Sequence, residues 1–231
     1  MEKTKEQFLG LLEEMLEAGV VKPYELRKYV KAPEDMMDPD YITVEMENWY
    51  KDMGIEAIIG REFKLSKCPF TKEEIEEANK NDEIIICVPK GVTREQLGIL
   101  FRLDSWALHD VMVTPATESE DVWFRTSKSL IPTEMKSTGV ECAHKAEDEN
   151  LLSFSIERYM VFIGRIRYLT GKTPDIQYWI WLPRGRYDRS GMLMAGFDRN
   201  GVLNVHGWMP QFYANFLGGR FGIPAKNIKQ G

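Results

Sequence analysis

The sequence predicts an α+β fold: N-terminal helices and a βα unit, one long helix past the middle, and a C-terminal antiparallel meander. Three observations predict it. Helical periodicity bounded by capping signals recurs as far as residue 170. A nearly continuous apolar run, EIIICV at residues 83–88, stands between two capping boxes. After Ile176 the helical period gives way to β-branched and aromatic runs, glycine and an Asn-Gly turn.

Taken in order, residues 6–18 repeat Phe8, Leu12, Met15 and Leu16 at helical spacing and stop at Gly19. Pro23 suits the first turn of a short helix to Val30. Pro33 and Pro39 make APEDMMDPD, residues 32–40, a turn or linker, with helical turns resuming over 44–53. Ile55 to Ile59 reads as a short strand ending at Gly60. Thr71 with Glu74 and Thr93 with Gln96 are capping boxes, the first opening a helix to about Lys80, the second a helix with Leu97, Leu100 and Phe101 on one face. Residues 83–104 therefore form a βα unit. Two further strands are expected at 108–113 and 122–126, around the polar ATESED loop.

Residues 127–149 thin out into a polar segment, either a surface loop or a lid. The longest helix follows over 151–169, with Leu152, Ile156, Tyr159, Met160, Ile163 and Ile166 near one face and Gly171 as its stop. Strands at 176–182 and 192–197, the Asp198-Arg-Asn-Gly201 turn, a return strand at 202–206 and a last strand near Gly218 complete the meander. The organisation is an acidic α/β-like region over 1–126, the polar loop over 127–149, and the long helix with its meander over 150–231, packed as one unit.

The 231 residues can bury a core without disulfides or metal. An apolar share of 43% excludes a disordered acidic chain. Cys68, Cys87 and Cys142 form no disulfide framework or zinc ribbon. The start, MEKTKEQFLG, has no apolar signal core and no stretch approaches a membrane span, so the expectation is a soluble, cytoplasmic protein without a membrane partner. Charge is uneven: residues 1–150 hold 19 basic and 32 acidic side chains, residues 151–231 hold 11 basic and 4 acidic. That asymmetry serves either complementarity between the halves or between subunits, or an anionic partner.

The ordered C-terminal elements are WIWLPR (179–184), GMLMAGFD (191–198), NGVLNVHG (200–207) and LGGRFGI (217–223). This order resembles the closing half of bacterial and phage C-type-lectin-like modules, related to the formylglycine-generating-enzyme superfamily. There a W-L-R strand, a hairpin around D-x-x-G and a terminal G-x-R strand recur. The likeness spans about residues 178–224. Phe221 stands where those modules carry a proline after the arginine, with Pro224 later. The resemblance implies a compact α+β binding scaffold. It speaks against the copper-dependent oxidase chemistry of that superfamily, because no cysteine follows Cys142.

Chemistry-bearing patterns are sparse. Ser105 and His109 are four apart and share a face if helical, as a nucleophile and base would. Cys142 and His144 alternate, and in an extended segment would face one ion or form a thiol–imidazole pair. Neither pattern is a complete site, so no metal or cofactor is assigned. Glu118, Glu120 and Asp121 read as a solvated charge run, and Asp198 as the residue opening its turn. The remaining feature is a basic, aromatic surface: Arg184, Arg186 and Arg189, then Trp208, Phe212 and Tyr213 in the loop GWMPQFYAN. Tryptophan, tyrosine and arginine are enriched at protein interfaces. The sequence thus favours a non-enzymatic binding protein recognising a protein partner, itself included as a homo-oligomer. The alternatives are an enzyme with a cleft near His109, Cys142 and His144, and a nucleic-acid-associated factor.

Overall fold

The computed structural model describes residues 5–21, 37–188 and 191–226, and from residues 5–8 the backbone alone. Helix α1 (Lys5–Glu17) matches its periodicity. The helix expected at 23–30 and most of the 32–40 linker lie outside the described residues. Helix α2 (Pro39–Asp52) begins at Pro39, with the Asp38 side chain accepting from the Asp40 N–H. Proline here opens a helix, since its missing N–H costs nothing in the first turn. Ile55–Ile59 is a helical turn, α3, and not the expected strand. Gly54 and Gly60 bracket it in the left-handed region, with φ of 90° and 68°. Ile55 is buried, and Ile58 and Ile59 pack on the core at helical spacing.

Helix α4 (Lys72–Lys80), strand β1 (Glu83–Val88) and helix α5 (Arg94–Phe101) form as expected, both helices with complete capping boxes. Strand β2 (Val122–Ser127) returns antiparallel to β1. The strand expected at 108–113 is absent; a 3₁₀ turn, Trp106–Leu108, and a loop stand there. Buried Arg94 explains the difference. Its Nε, Nη1 and Nη2 donate to the carbonyls of Leu108, Val113 and Asp110 at 3.0, 2.8 and 2.8 Å. Those carbonyls are satisfied by a guanidinium in place of a neighbouring strand.

Residues 127–149 are not a polar loop. They hold strand β3 (Glu134–Met135) and helix α6 (Gly139–Asp148), the latter opened by a third capping box between Thr138 and Glu141. Cys142 and Ala146 face inward from it. Gly139 allows the approach, because a Cβ there would meet Met192 Sδ and the Trp181 ring.

Strand β4 (Leu152–Ser153) precedes helix α7 (Ile156–Thr170), which starts at the Ser155 cap and ends at left-handed Gly171. Every residue from Ile156 to Ile166 is buried, so α7 is a central layer rather than an amphipathic cover, and Arg158 and Arg165 are buried with it. Strands β5 (Trp179–Tyr187), β6 (Gly191–Phe197) and β7 (Leu203–Trp208) make the antiparallel meander. Asp198 opens the β6–β7 turn, accepting from the N–H groups of Asn200 and Val202. Strand β8 (Leu217–Gly219) corrects the wholly antiparallel expectation: it lies parallel to β5, between β5 and β3. The sheet order is β3-β8-β5-β6-β7. Its inner face, from Ile180, Leu182, Leu193, Ala195 and Val205, shares a core with α7; its outer face lies under α6.

Past Arg220 the chain leaves this sheet. Strand β9 (Phe221–Gly222) pairs with β4, and Ile223 exchanges both backbone hydrogen bonds with Arg125 of β2. The final segment thus stitches the large sheet to the β1–β2 ribbon. At the crossing, Arg220 enters the core. Its Nε and Nη2 donate to Asp175 at 2.8 and 2.6 Å, Tyr159 Oη donates to the same carboxylate at 3.1 Å, and the guanidinium lies over the Phe162 ring. Arg220→Met leaves the Asp175 carboxylate buried without its cation. Such a loss is expected to cost about 3–5 kcal/mol, read as a lower urea midpoint at unchanged m-value.

Candidate functional site

The connection from β7 to β8 runs against the outer face of the sheet. Strand β8 is parallel to β7 by way of β5 and β6, so residues 209–216 must traverse β6 and β5 to start β8. Three anchors hold this crossover. Pro210 O accepts from Val140 N at the start of α6, Ala214 packs into the cluster of Trp181, Met192, Leu217 and Phe221, and Phe216 O accepts from Trp179 N. Trp181 is fully buried there, its Nε1 donating to Ser137 O at 3.0 Å; Trp179 is partly buried beside the His206 ring.

Between the anchors, large side chains point outward. Trp208 and Phe212 meet edge to face at 5.9 Å. Met209 is 66% exposed, Tyr213 52%, Phe216 48%, Trp208 46% and Phe212 37%. A patch of large apolar side chains on one short crossover differs from the scattered surface leucines of any protein. The sequence alone groups Trp208, Phe212, Tyr213 and Phe216 in one aromatic patch and puts Met209 in the same loop, GWMPQFYAN; the structure shows all five exposed.

The arginines are not gathered there. Arg186 pairs with Met192 and thereby lies in the row of Trp208, but its Nη1 donates to the carbonyls of Pro183 and Gly185. Arg184 reaches elsewhere, toward Glu118 at 3.9 Å. Arg189 lies outside the described residues. Glu118, read as part of a solvated run, is buried and holds Arg158 Nε at 2.7 Å. Burial lowers the Arg158 pKa, and the Glu118 charge opposes that shift.

This pairing is one of several that join the oppositely charged parts of the chain. Arg158 with Glu118, Arg165 with Glu45 and Lys226 with Glu77 each join the basic C-terminal part to the acidic part. Part of the complementarity between the halves is thus met inside the chain.

The chemistry candidates do not assemble. Ser105 precedes the 3₁₀ turn with extended backbone, and its buried Oγ has no hydrogen-bond partner; His109 ends the turn and is exposed. No helix puts the two on one face. Cys142 and His144 sit on α6 and not on a strand, so residues two apart diverge: Cys142 is buried and His144 exposed. Cys142 belongs to the cluster on the outer face of the sheet, whereas the turn ending at His109 packs by α5. The structure does not join His109, Cys142 and His144 into one cleft. Among the described residues no group of three or more His, Cys, Asp or Glu side chains could hold a metal ion. Burial pushes the Cys142 thiol up to about 12 and the Cys68 thiol to about 11, and Cys87 is raised by the same cause. A thiol with so high a pKa is a poor nucleophile at neutral pH.

No family model, curated protein sequence or solved structure matches this chain. Among the described residues no helix is long and apolar enough to cross a membrane.

The thiols supply a test. At pH 8 the native protein is expected to resist iodoacetamide at all three cysteines, whereas the denatured chain takes up three additions by mass spectrometry. Their folded pKa values exceed the unfolded ones. The stabilisation from keeping the thiols protonated is therefore complete below the ordinary value of 9.0 and is lost as pH rises toward 11 to 12.

Proposed function

We propose that this is a non-enzymatic binding protein that recognises a protein partner through the crossover at residues 208–216. One observation carries the reading: Trp208, Met209, Phe212, Tyr213 and Phe216 stand exposed on a connection whose ends are tied to a sheet. Loops held by a rigid scaffold are where recognition concentrates, and aromatic side chains supply most of the binding energy at interfaces. The exposed side chains of the crossover are apolar and aromatic rather than basic, which favours a protein partner over a phosphate surface that needs cations. The resemblance of residues 178–224 to C-type-lectin-like modules agrees with a scaffold for binding. Three buried, unpaired cysteines suit a reducing, cytoplasmic setting.

The test is capture from an extract of the protein's own host, using immobilised wild type and the double variant Trp208→Ser/Phe212→Ser. Both side chains are exposed, so the variant should keep its stability within about 1 kcal/mol. Loss of a specific partner by the folded variant is the expected result. Equal capture by both proteins rejects the crossover as the recognition surface.

A further inference from the structure

The crossover face is uncharged as well as apolar, and the second property narrows what can cover it. Residues 200–219 hold no Asp, Glu, Lys or Arg, in a chain of which 29% is charged. Two charges border the face: Arg186, in the row of Trp208, and Glu141, next to the Val140 whose N–H donates to Pro210 O. They are opposite in sign, and each is engaged within its own chain. Arg186 Nη1 donates to the carbonyls of Pro183 and Gly185, and Glu141 is held in the capping box of Thr138.

An unlike partner is selected largely by complementary charge, which steers the encounter and rejects wrong partners. This face has no charge of its own to offer. Pairing of like with like sets the opposite requirement. Across a two-fold axis the same patch meets itself, so a predominant charge on it would face its like. Each copy carries a net charge of -6, and two copies can approach only through a surface free of that repulsion. The neutral polar side chains of the crossover, Gln211, Tyr213 and Asn215, each donate and accept hydrogen bonds and so can also pair with themselves.

We infer that the crossover faces of two copies pack on each other across a two-fold axis. This rests on reading residues 208–216 as an interaction surface, and names the partner as a second copy of the chain. Trp208, Met209, Phe212, Tyr213 and Phe216 are between 37% and 66% exposed. At roughly 200 Å² for a side chain of this size they offer on the order of 500 Å² per copy, or about 1,000 Å² in the pair. That area is the lower bound of a specific interface, so the dimer is reversible. A core rich in aromatic residues and methionine and depleted in charge is the composition such interfaces have.

Sedimentation and native mass spectrometry of the full chain at about 1 to 100 μM test this. Wild type is expected to pass from monomer to dimer over that range. Raising salt from about 0.05 to about 0.5 M should leave the transition in place, because no ion pair holds it. Met209 and Tyr213 are more than half exposed, so charges are tolerated there by the monomer. The double variants Met209→Asp/Tyr213→Asp and Met209→Lys/Tyr213→Lys should each dimerise at least about tenfold more weakly, with the melting temperature of the monomer unchanged. Mixed together they should form a heterodimer that neither forms alone, since the acidic patch of one then meets the basic patch of the other. Mixing would not repair a folding defect in either variant.

A monomer at about 100 μM overturns the inference. So does a dimer that both variants keep, a dimer that salt dissolves, or a failure of the mixed variants to associate. Host-partner capture that depends on Trp208 and Phe212 in a protein that stays monomeric also overturns the dimer, while leaving the binding reading intact. A monomer that captures nothing through those two residues rejects both.

Discussion

Arg220 and Asp175 meet where the approach to β5, the step from β8 to β9 and helix α7 come together. Asp175 lies at the approach to β5 in the left-handed region, with φ of 55°, and its backbone is bonded to Leu130, Tyr178 and Phe197. Arg220 sits between β8 and β9, and its Nη2 also donates to Ser129 O. Tyr159 and Phe162 of α7 close the site. Strands β8 and β9 are three and two residues long, too short to hold a register alone. The buried ion pair gains little over an apolar pair of equal volume, but each charge is costly without the other. One path of the terminal segment satisfies both. That path puts Leu217–Gly219 beside β5 and so determines where the crossover must end.

Charge does the same work on a larger scale. A strongly acidic first part and a basic last part would repel themselves if kept apart. Here Arg158 and Arg165, on the central helix, are neutralised by Glu118 and Glu45 from distant parts of the chain. Both arginines are nearly fully buried, and losing either carboxylate would leave a desolvated cation. The exposed pairs, such as Lys67 with Asp40, matter far less. The charge bias of the sequence is thus a folding constraint linking its halves, and what remains on the crossover face is mainly apolar.

Local signals were readable where the chain decides its structure locally. The capping boxes at Thr71 and Thr93 set two helix starts, and Asn200-Gly201 set the hairpin. The same box at Thr138 and Glu141 is masked in the sequence by the polar composition around it, which reads as loop where the structure has α6. Ile55–Ile59 shows the opposite failure: β-branched residues suggested a strand, but two left-handed glycines leave room for only a turn. The loop pinned by Arg94 and the burial of Glu118 depend on partners far away in sequence, and no local pattern reveals them. At the site, aromatics after a hairpin were legible. The assignment of Arg184 to them was not, because its side chain reaches across the fold to Glu118.

The crossover is the part of the surface whose composition its structural duty does not explain. A connection from β7 to β8 has to roof the outer face where α6 does not cover it. Pro210 and Ala214 meet that requirement, one through its carbonyl to Val140 and the other by packing into the cluster below. Phe212, Tyr213 and Phe216 leave 37%, 52% and 48% of their surface in solvent and belong to neither core cluster. Polar side chains at those positions would keep the same backbone and avoid exposing apolar area, at about 25 cal/mol for each Å² that a partner could cover. Large apolar groups kept in water on a tethered loop are what the proposed binding role requires of a recognition surface.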